Sequence, residues 1–183
     1  MITQVEATIE DLYHIPEHGK AELVNGEIVI MPSCGFLPNR GAANVFLSLR
    51  RHESLVLSGY ACSDNVGYLV NLPNRKSFSP DASFFIGPPS GMKFLNGAPV
   101  FAVEVRSEND YGPAAERALA DKRRDYFAAG TLVVWDVDLQ SGEVIKSYEL
   151  NLPETPVIYR RNDTARAEPA LPGWEFPVAE LFS

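Results

Sequence analysis

The sequence predicts an α/β fold, in which a mixed β-sheet is flanked by helices and preceded by an N-terminal β-hairpin. Three observations predict it. Asn25-Gly26 stands between two apolar stretches, which is the strongest short-range signal for a hairpin with a type I′ turn. Short runs rich in Val, Ile and Phe recur along the chain, as is typical of strands. Two long segments with helical spacing of apolar residues separate these runs.

The first half of the chain contains the hairpin, one helix and several strands. The hairpin covers residues 21–31, and residues 32–39 are predicted to be a loop. A helix follows from Arg40 to about Leu57, with an apolar stripe of Ala43, Phe46, Leu47, Leu49 and Leu55. Residues 60–70 predict one strand or two short ones, and a turn-rich connector leads to a strand over residues 81–86.

The second half alternates strands with one more long helix. The predicted strands cover residues 100–107, 131–138, 143–150 and 156–161, and the last two form a closing hairpin. A helix over residues 113–129 begins with Pro113, with Asn109 or Asp110 near its cap, and ends at Gly130. The C-terminal tail carries large apolar residues that we expect to be docked: Leu171, Trp174, Phe176 and Phe182.

Length and charge limit the classes of function. The 183 residues predict one domain over residues 1–183. The net charge of −8 argues against broad non-specific coating of nucleic acid. Residues 36–76, however, hold five Lys or Arg against two acids, which indicates either a local phosphate-facing surface or a solvated helix face.

Other features predict the setting of the protein. No apolar run approaches the roughly 20 residues that span a bilayer, so no membrane association is expected. The acidic N-terminus is not typical of a signal peptide. Cys34 and Cys62 make no disulfide framework, so reduced thiols and a cytoplasmic location are expected.

Charged residues interrupt the apolar strand at residues 100–107. Because side chains alternate along a strand, Glu104 and Arg106 share one face, either as a simple ion pair near a sheet edge or as a functional pair. Asp81 opens the preceding strand, where it is either a loop cap or a partner of Glu104. Two carboxylates at the ends of neighbouring strands form a hard oxygen site of the kind that Mg²⁺ prefers.

Lys122 and Glu22 complete this set of candidates. Lys122 lies in the apolar stripe of its helix, together with Leu119 and Tyr126. Either its stem packs there while its amine reaches water, or the amine is used in a site. Glu22 begins the first hairpin strand and is either an exposed strand residue or a third acidic residue of the site.

An ordered set of segments resembles a known family. The segments are PDASFF, VEVRS, DKRRDYFAAG and VVWDVD, preceded by ELVNGEIVIMPS and followed by LPGWEFPVAELF. In this order and spacing they are similar to the Uma-type "putative restriction endonuclease" family, within the PD-(D/E)XK nuclease superfamily. The likeness spans about residues 20–183.

The resemblance implies a restriction-endonuclease-like fold and Mg²⁺-dependent hydrolysis of phosphodiester bonds, with Mn²⁺ as a substitute. By matching positions, Asp81 and Glu104 bind the metal, and Glu22 joins them directly or through water. Lys122 orients the attacking water or stabilises the developing charge, and Arg106 helps to hold the phosphate. The chain departs from the family at Asn39, where relatives commonly carry a His, and at Ser107-Glu108, where they carry Ser-Pro.

The resemblance also implies partners. We expect DNA as the substrate, backbone phosphate contacts from Arg40, Arg50 and Arg51, and a homodimer. A second hypothesis stays open beside the nuclease. In it, the chain keeps the nuclease fold as a catalytically inactive module that binds nucleic acid or another protein.

Overall fold

The computed structural model describes residues 6–15 and 19–183. The predicted domain and the predicted absence of a signal peptide therefore also involve residues outside the described ranges. A short helix, α1 (Ile9–Tyr13), precedes the hairpin strands β1 (Ala21–Val24) and β2 (Glu27–Ile30). Asn25 and Gly26 have φ angles of 51° and 76°, as a type I′ turn requires. The predicted hairpin is thus present.

The first long helix, α2 (Phe36–Val56), begins four residues earlier than predicted. Pro38 lies in its first turn, where a backbone N–H has no partner within the helix, so the proline is tolerated there. The predicted apolar stripe is wrong at two positions. Leu47 and Leu55 are 52% and 81% exposed, whereas Leu49 is buried as predicted, together with Gly41, Ala42 and Val45.

The remaining strands and helices follow in chain order: β3 (Tyr60–Ser63), β4 (Tyr68–Leu69), β5 (Ser77–Phe78), β6 (Ala82–Phe85), β7 (Leu95–Asn96), β8 (Phe101–Val105), α3 (Pro113–Ala128), β9 (Val133–Val137), β10 (Ile145–Glu149), β11 (Leu152–Tyr159), β12 (Thr164–Arg166), β13 (Glu175–Pro177) and a 3-10 helix (Val178–Phe182). The two-residue strand β5 lies in the segment predicted to be a connector, and β7 lies between the predicted strands 81–86 and 100–107, where no strand was predicted.

A six-stranded sheet forms the centre of the fold, in the order β11-β10-β9-β8-β6-β3. The pair β8–β9 is parallel and is joined through α3, whereas the other four neighbouring pairs are antiparallel. The predicted mixed sheet with flanking helices is confirmed. The alternation of side chains along β8 determines which of its residues face each helix.

The start of α3 differs from the prediction. Its N-cap is Gly112 rather than Asn109 or Asp110. Asp110 instead accepts a hydrogen bond from the backbone N–H of Ser107 through its carboxylate, at 2.7 Å, which closes a turn after β8. The helix ends as predicted, because Gly130 follows it with a φ of 101°.

The two faces of the sheet are covered by different elements. On one face, α2 and the C-terminal tail pack on Phe101, Val103, Val105, Trp135 and neighbouring apolar residues. On the opposite face, α3 packs through Tyr126 and Phe127 against Ala102 and Val134. The predicted docking of the tail is present, since Leu171, Trp174 and Phe176 are buried. Within the described ranges, no helix has the length and apolar character needed to cross a membrane.

Candidate active site

Asp81 and Glu104 lie side by side on neighbouring strands. Because Ala82 of β6 pairs with Val103 of β8 in antiparallel register, the preceding Asp81 lies opposite Glu104. Backbone bonds hold it there: the Asp81 N–H donates to the carbonyl of Val103 at 3.0 Å, and Asp81 Oδ2 accepts the N–H of Val105 at 2.7 Å. Asp81 exposes 21% of its side chain and Glu104 15%. Water can therefore reach both carboxylates.

The hairpin brings Glu22 to the same region. β1 is hydrogen-bonded to the segment at the start of β5. The N–H of Lys76 donates to the carbonyl of Leu23 at 2.9 Å, and the N–H of Leu23 donates to Ser77 Oγ at 2.8 Å. Glu22 Oε1 then accepts the N–H of Ser79 at 2.8 Å. This pairing between distant segments buries Glu22 to 4% exposure.

Lys122 joins Glu22 to Glu104. Its Nζ lies 2.9 Å from Glu22 Oε1 and 2.9 Å from Glu104 Oε1. One turn further along α3, the Tyr126 hydroxyl donates to Glu104 Oε1 at 2.6 Å, and its ring stacks on Phe78 at 4.0 Å between centroids. Lys122 therefore points into the site, and the stripe of α3 in which it lies is directed at the carboxylates.

Two further cations, which the sequence analysis missed, contact these carboxylates. Lys20 Nζ donates to Asp81 Oδ1 and lies 2.7 Å from Asp64 Oδ1. Arg75 contacts Glu22 Oε2 at 2.5 Å, and its Nε contacts Asp125 Oδ2 at 2.8 Å. Both residues lie in irregular segments, where periodicity carries no signal. The sequence did carry a charge signal for Lys20. Residues 1–35 contain six acidic residues, and Lys20 is their single Lys or Arg.

The pKa values of the two glutamates shift in opposite directions. Burial by itself would raise the pKa of Glu22, but the charges of Lys122 and Arg75 outweigh burial and lower it. Burial raises the pKa of Glu104, and the charges of Asp81 and Glu22 raise it further, which Lys122 offsets only in part. Glu22 is thus held ionised by its ion pairs, whereas burial, with a further contribution from Asp81 and Glu22, disfavours the ionised form of Glu104.

Both lysines of the site stay charged. Burial by itself would lower the pKa of Lys122, but Glu104 and Glu22 raise it above its usual value. Likewise, burial opposes the charge of Lys20, while Asp81 and Glu104 raise its pKa by more. Neither amine is therefore suited to accept a proton as a general base near neutral pH. Each acts as a fixed positive charge with N–H donors.

Arg106 lies on the same side of β8 but in a separate cluster. Its Nε and one terminal nitrogen donate to the two oxygens of Asp136 at 2.8 and 2.7 Å, and it also binds Glu116 of α3 in a two-bond contact. This side chain fastens α3 to β9. The predicted contact between Arg106 and phosphate stays a prediction, and the structure places its guanidinium between two carboxylates.

The three arginines predicted to bind nucleic acid lie on α2, the helix that covers the opposite face of the sheet. Arg40 Nε donates to the carbonyl of Ser183 at 2.8 Å, Arg50 pairs with Glu53, and Arg51 Nε donates to the carbonyl of Leu47 at 3.3 Å. The structure does not bring them to the carboxylates. Their contact with DNA stays a prediction.

The donor set determines which metal ion fits. Within residues 6–15 and 19–183, no group of three or more His, Cys, Asp or Glu side chains is arranged to hold a metal ion. Glu22 is engaged by Arg75, Lys122 and the backbone of Ser79, so it differs from the predicted third ligand. The pair Asp81 and Glu104 fits a Mg²⁺ or Mn²⁺ ion, because Mg²⁺ uses one or two protein carboxylates and takes its other ligands from water and phosphate.

The balance of charge supports that fit. Five carboxylates in this cluster contact three cations: Glu22, Asp64, Asp81, Glu104 and Asp125 against Lys20, Arg75 and Lys122. These contacts leave two negative charges without a cation in the cluster, and Asp81 and Glu104 lie next to each other within it. A divalent cation beside Asp81 and Glu104 would neutralise them.

Comparison with known proteins identifies relatives of the whole chain. The family model Uma2, described as "Putative restriction endonuclease", matches residues 8–179. No curated protein matches the sequence. A crystal structure from Anabaena variabilis ATCC 29413, described as a "putative nuclease belonging to DUF820", is similar in fold with a TM-score of 0.73. The likeness covers 96% of this chain and 97% of that chain at 15% sequence identity.

Proposed function

The chain belongs to the Uma2 family, and from this membership we propose that it is a nuclease that uses Mg²⁺ or Mn²⁺ to hydrolyse phosphodiester bonds of DNA. One observation carries the proposal. Asp81, Glu104 and Lys122 come from β6's entrance, from β8 and from α3, yet they meet in one partly solvent-accessible cluster. Stability alone does not explain a buried lysine between two glutamates, because apolar residues often replace buried ion pairs without loss of stability.

Each side chain has a distinct role in this mechanism. Asp81 and Glu104 would hold the metal, which supplies Lewis acidity to the phosphate and a more acidic water. Lys122, whose raised pKa keeps it protonated, donates N–H groups to oxygens that gain negative charge as the phosphodiester bond breaks. Tyr126, through its hydrogen bond, fixes the orientation of Glu104. Glu22 holds the Lys122 ammonium from the buried side through Oε1, and Arg75 pairs with the other oxygen of Glu22.

Cleavage of supercoiled plasmid and of single-stranded DNA with Mg²⁺ or Mn²⁺ tests this proposal. We expect the wild type to cut and the variants Asp81→Asn and Glu104→Gln to lose cutting. Glu175→Gln is the matched control, because Glu175 pairs with Arg166 at the surface and its substitution should leave cutting unchanged. Equal activity in all four proteins would reject the assigned residues and indicate a contaminating nuclease.

A second candidate is the catalytically inactive module that binds nucleic acid or another protein. The contacts of Lys20 and Arg75 favour it, because they occupy carboxylate oxygens with protein cations. Under this alternative the wild type binds DNA without cutting it, and calorimetry detects no binding of Mn²⁺. Binding of Mn²⁺ that is lost in Asp81→Asn would instead favour the nuclease.

A further inference from the structure

Lys20 occupies the place on Asp81 where an external cation would bind. Asp81 has two carboxylate oxygens, and Oδ2 is already bound to the backbone N–H of Val105 at 2.7 Å. The other oxygen, Oδ1, accepts a hydrogen bond from the Lys20 ammonium. The charge of Lys20 also interacts with Glu104. The Lys20 ammonium therefore neutralises part of the negative charge of Asp81 and Glu104, which would otherwise attract a divalent cation.

We propose that Lys20 is a positioning residue that competes with the divalent cation for Asp81, so that the metal must displace the lysine to bind. This inference rests on the proposed function, because it concerns the same pair of carboxylates. Lys20 does not contact the reacting atoms in this role. It acts through Asp81, by making the affinity of the site for metal weaker than that of the two carboxylates alone.

A second contact explains why displacement is feasible. Lys20 Nζ also lies 2.7 Å from Asp64 Oδ1, at the end of β3, and the Asp64 side chain is 37% exposed. When a cation takes its place on Asp81, the ammonium keeps Asp64 as a partner and gains access to water. A lysine with Asp81 as its sole partner would instead lose its ion pair entirely.

Charge repulsion sets the expected size of the effect. A positive unit charge within a few ångströms of a divalent cation repels it, and at a partly buried site this lowers the affinity for the cation several-fold or more. Removal of the Lys20 charge should therefore strengthen metal binding, although it deletes a native ion pair. A residue with only a structural role predicts the reverse, since loss of its ion pair would loosen Asp81 and weaken binding.

Titration of the full chain with Mn²⁺ in a calorimeter tests the proposal. We expect Lys20→Met to bind Mn²⁺ at least about tenfold more tightly than the wild type. Lys20→Gln provides a second variant in case the methionine side chain disturbs folding. Lys146→Met is the matched control, because Lys146 lies on β10 near Glu143 and its removal changes the net charge equally. The control should bind as the wild type does.

Thermal unfolding supplies a readout that does not depend on the heat of binding. Without metal, Lys20→Met should melt below the wild type, because Asp81 has lost its counter-ion. Saturating Mn²⁺ should raise the melting temperature of Lys20→Met by more than that of the wild type, since a tighter ligand stabilises the folded state more. The double variant Lys20→Met/Asp81→Asn should show neither response, which locates the metal at Asp81.

The outcomes separate this inference from the proposed function. If the wild type binds Mn²⁺ and Lys20→Met and Lys20→Gln bind equally or more weakly, the competition is rejected while the metal site stands. If the wild type and both variants are folded by circular dichroism and none binds Mn²⁺, the metal-dependent nuclease is rejected together with the inference. Tighter binding by Lys146→Met would attribute any gain to net charge and would also reject it.

Discussion

The two faces of the central sheet use the same strands for opposite purposes. On β8, Val103 and Val105 face α2 and lie in an apolar core with Trp135 and Trp174. Glu104, between them in sequence, faces α3 and meets Lys122. The α2 face is apolar and aromatic, with five ring contacts involving Trp135 or Trp174 at 5.0–6.1 Å between centroids. The α2 face is an apolar core, whereas the α3 face carries the charged residues of the proposed site, so we expect substitutions on the α2 face to change stability without changing metal affinity.

The largest effect is expected from a cavity on the α2 face. Phe176→Ala removes a fully buried ring that packs on Trp135 and Trp174, and it should lower the free energy of unfolding by about 3–5 kcal/mol. Urea denaturation measures this loss. Below the unfolding transition, the affinity for Mn²⁺ should match that of the wild type. A changed affinity in folded protein would show that the two faces are coupled.

A smaller loss is expected from the buried end of the α3 face. Glu22→Gln leaves Arg75 and Lys122 without their shared carboxylate, which should cost about 3 kcal/mol at neutral pH. The pKa of Glu22 is lowered in the folded protein, so its stabilising contribution is present above the unfolded value of 4.5 and disappears as the pH falls further.

Urea denaturation at several pH values checks this expectation. The difference between wild type and Glu22→Gln should be full near pH 7 and should shrink below about pH 4.5. A difference that grows on acidification would contradict the assigned ion pairs. Glu154→Gln, on the exposed part of β11, is the matched control and should show little difference at any pH.

A second charged cluster on the α3 face contains Arg106, Asp136 and Glu116. Arg106→Lys keeps the charge but loses the paired hydrogen bonds to Asp136 and Glu116, and it should cost about 1.5 kcal/mol of stability. Because this cluster fastens α3 without contacting Asp81, the affinity for Mn²⁺ should not change. A loss of metal binding that exceeds about tenfold would assign Arg106 to the site itself.

The smallest effect concerns the arginines of α2. If Arg51 contacts one DNA phosphate as predicted, Arg51→Ala should reduce the slope of log affinity against log salt by about 0.9. Fluorescence anisotropy with a labelled duplex at several salt concentrations measures that slope. An unchanged slope for Arg51→Ala, and for Arg40→Ala and Arg50→Ala as well, would confine the DNA interface to the α3 side of the sheet.

Local patterns in the sequence predicted the hairpin, the two long helices and the strands of the central sheet, but not α1, the short strands β5, β7, β12 and β13, or every boundary. The turn at Asn25-Gly26 and the strand around Val103 follow from short-range signals, and both are present. The predicted start of α2 was four residues too late, because Pro38 is typical of a loop in sequence. A proline is nevertheless tolerated in the first turn of a helix. Gly112 and not Asp110 is the N-cap of α3, because the Asp110 carboxylate accepts a hydrogen bond from the Ser107 N–H in the preceding turn.

The candidate site was predictable where its residues lie on regular elements or, as for Asp81, directly beside one. Lys122 stood out as a charge within an apolar helical stripe, and Glu104 as a charge within an apolar strand. Lys20 and Arg75 come from irregular segments that meet through backbone pairing between residues about fifty positions apart, such as Lys76 with Leu23. Periodicity describes neighbours along the chain, so it cannot show which distant loops supply the counter-ions.

The central claim is that Asp81 and Glu104, on the α3 face, hold a divalent cation. Calorimetric titration of the wild type and of Glu104→Gln with Mn²⁺ tests it most directly. We predict one Mn²⁺ ion per chain for the wild type and a loss of affinity of at least about 100-fold in Glu104→Gln, equivalent to about 2.7 kcal/mol. Folded wild-type protein that binds no Mn²⁺, or a Glu104→Gln variant that binds with wild-type affinity, would contradict the account.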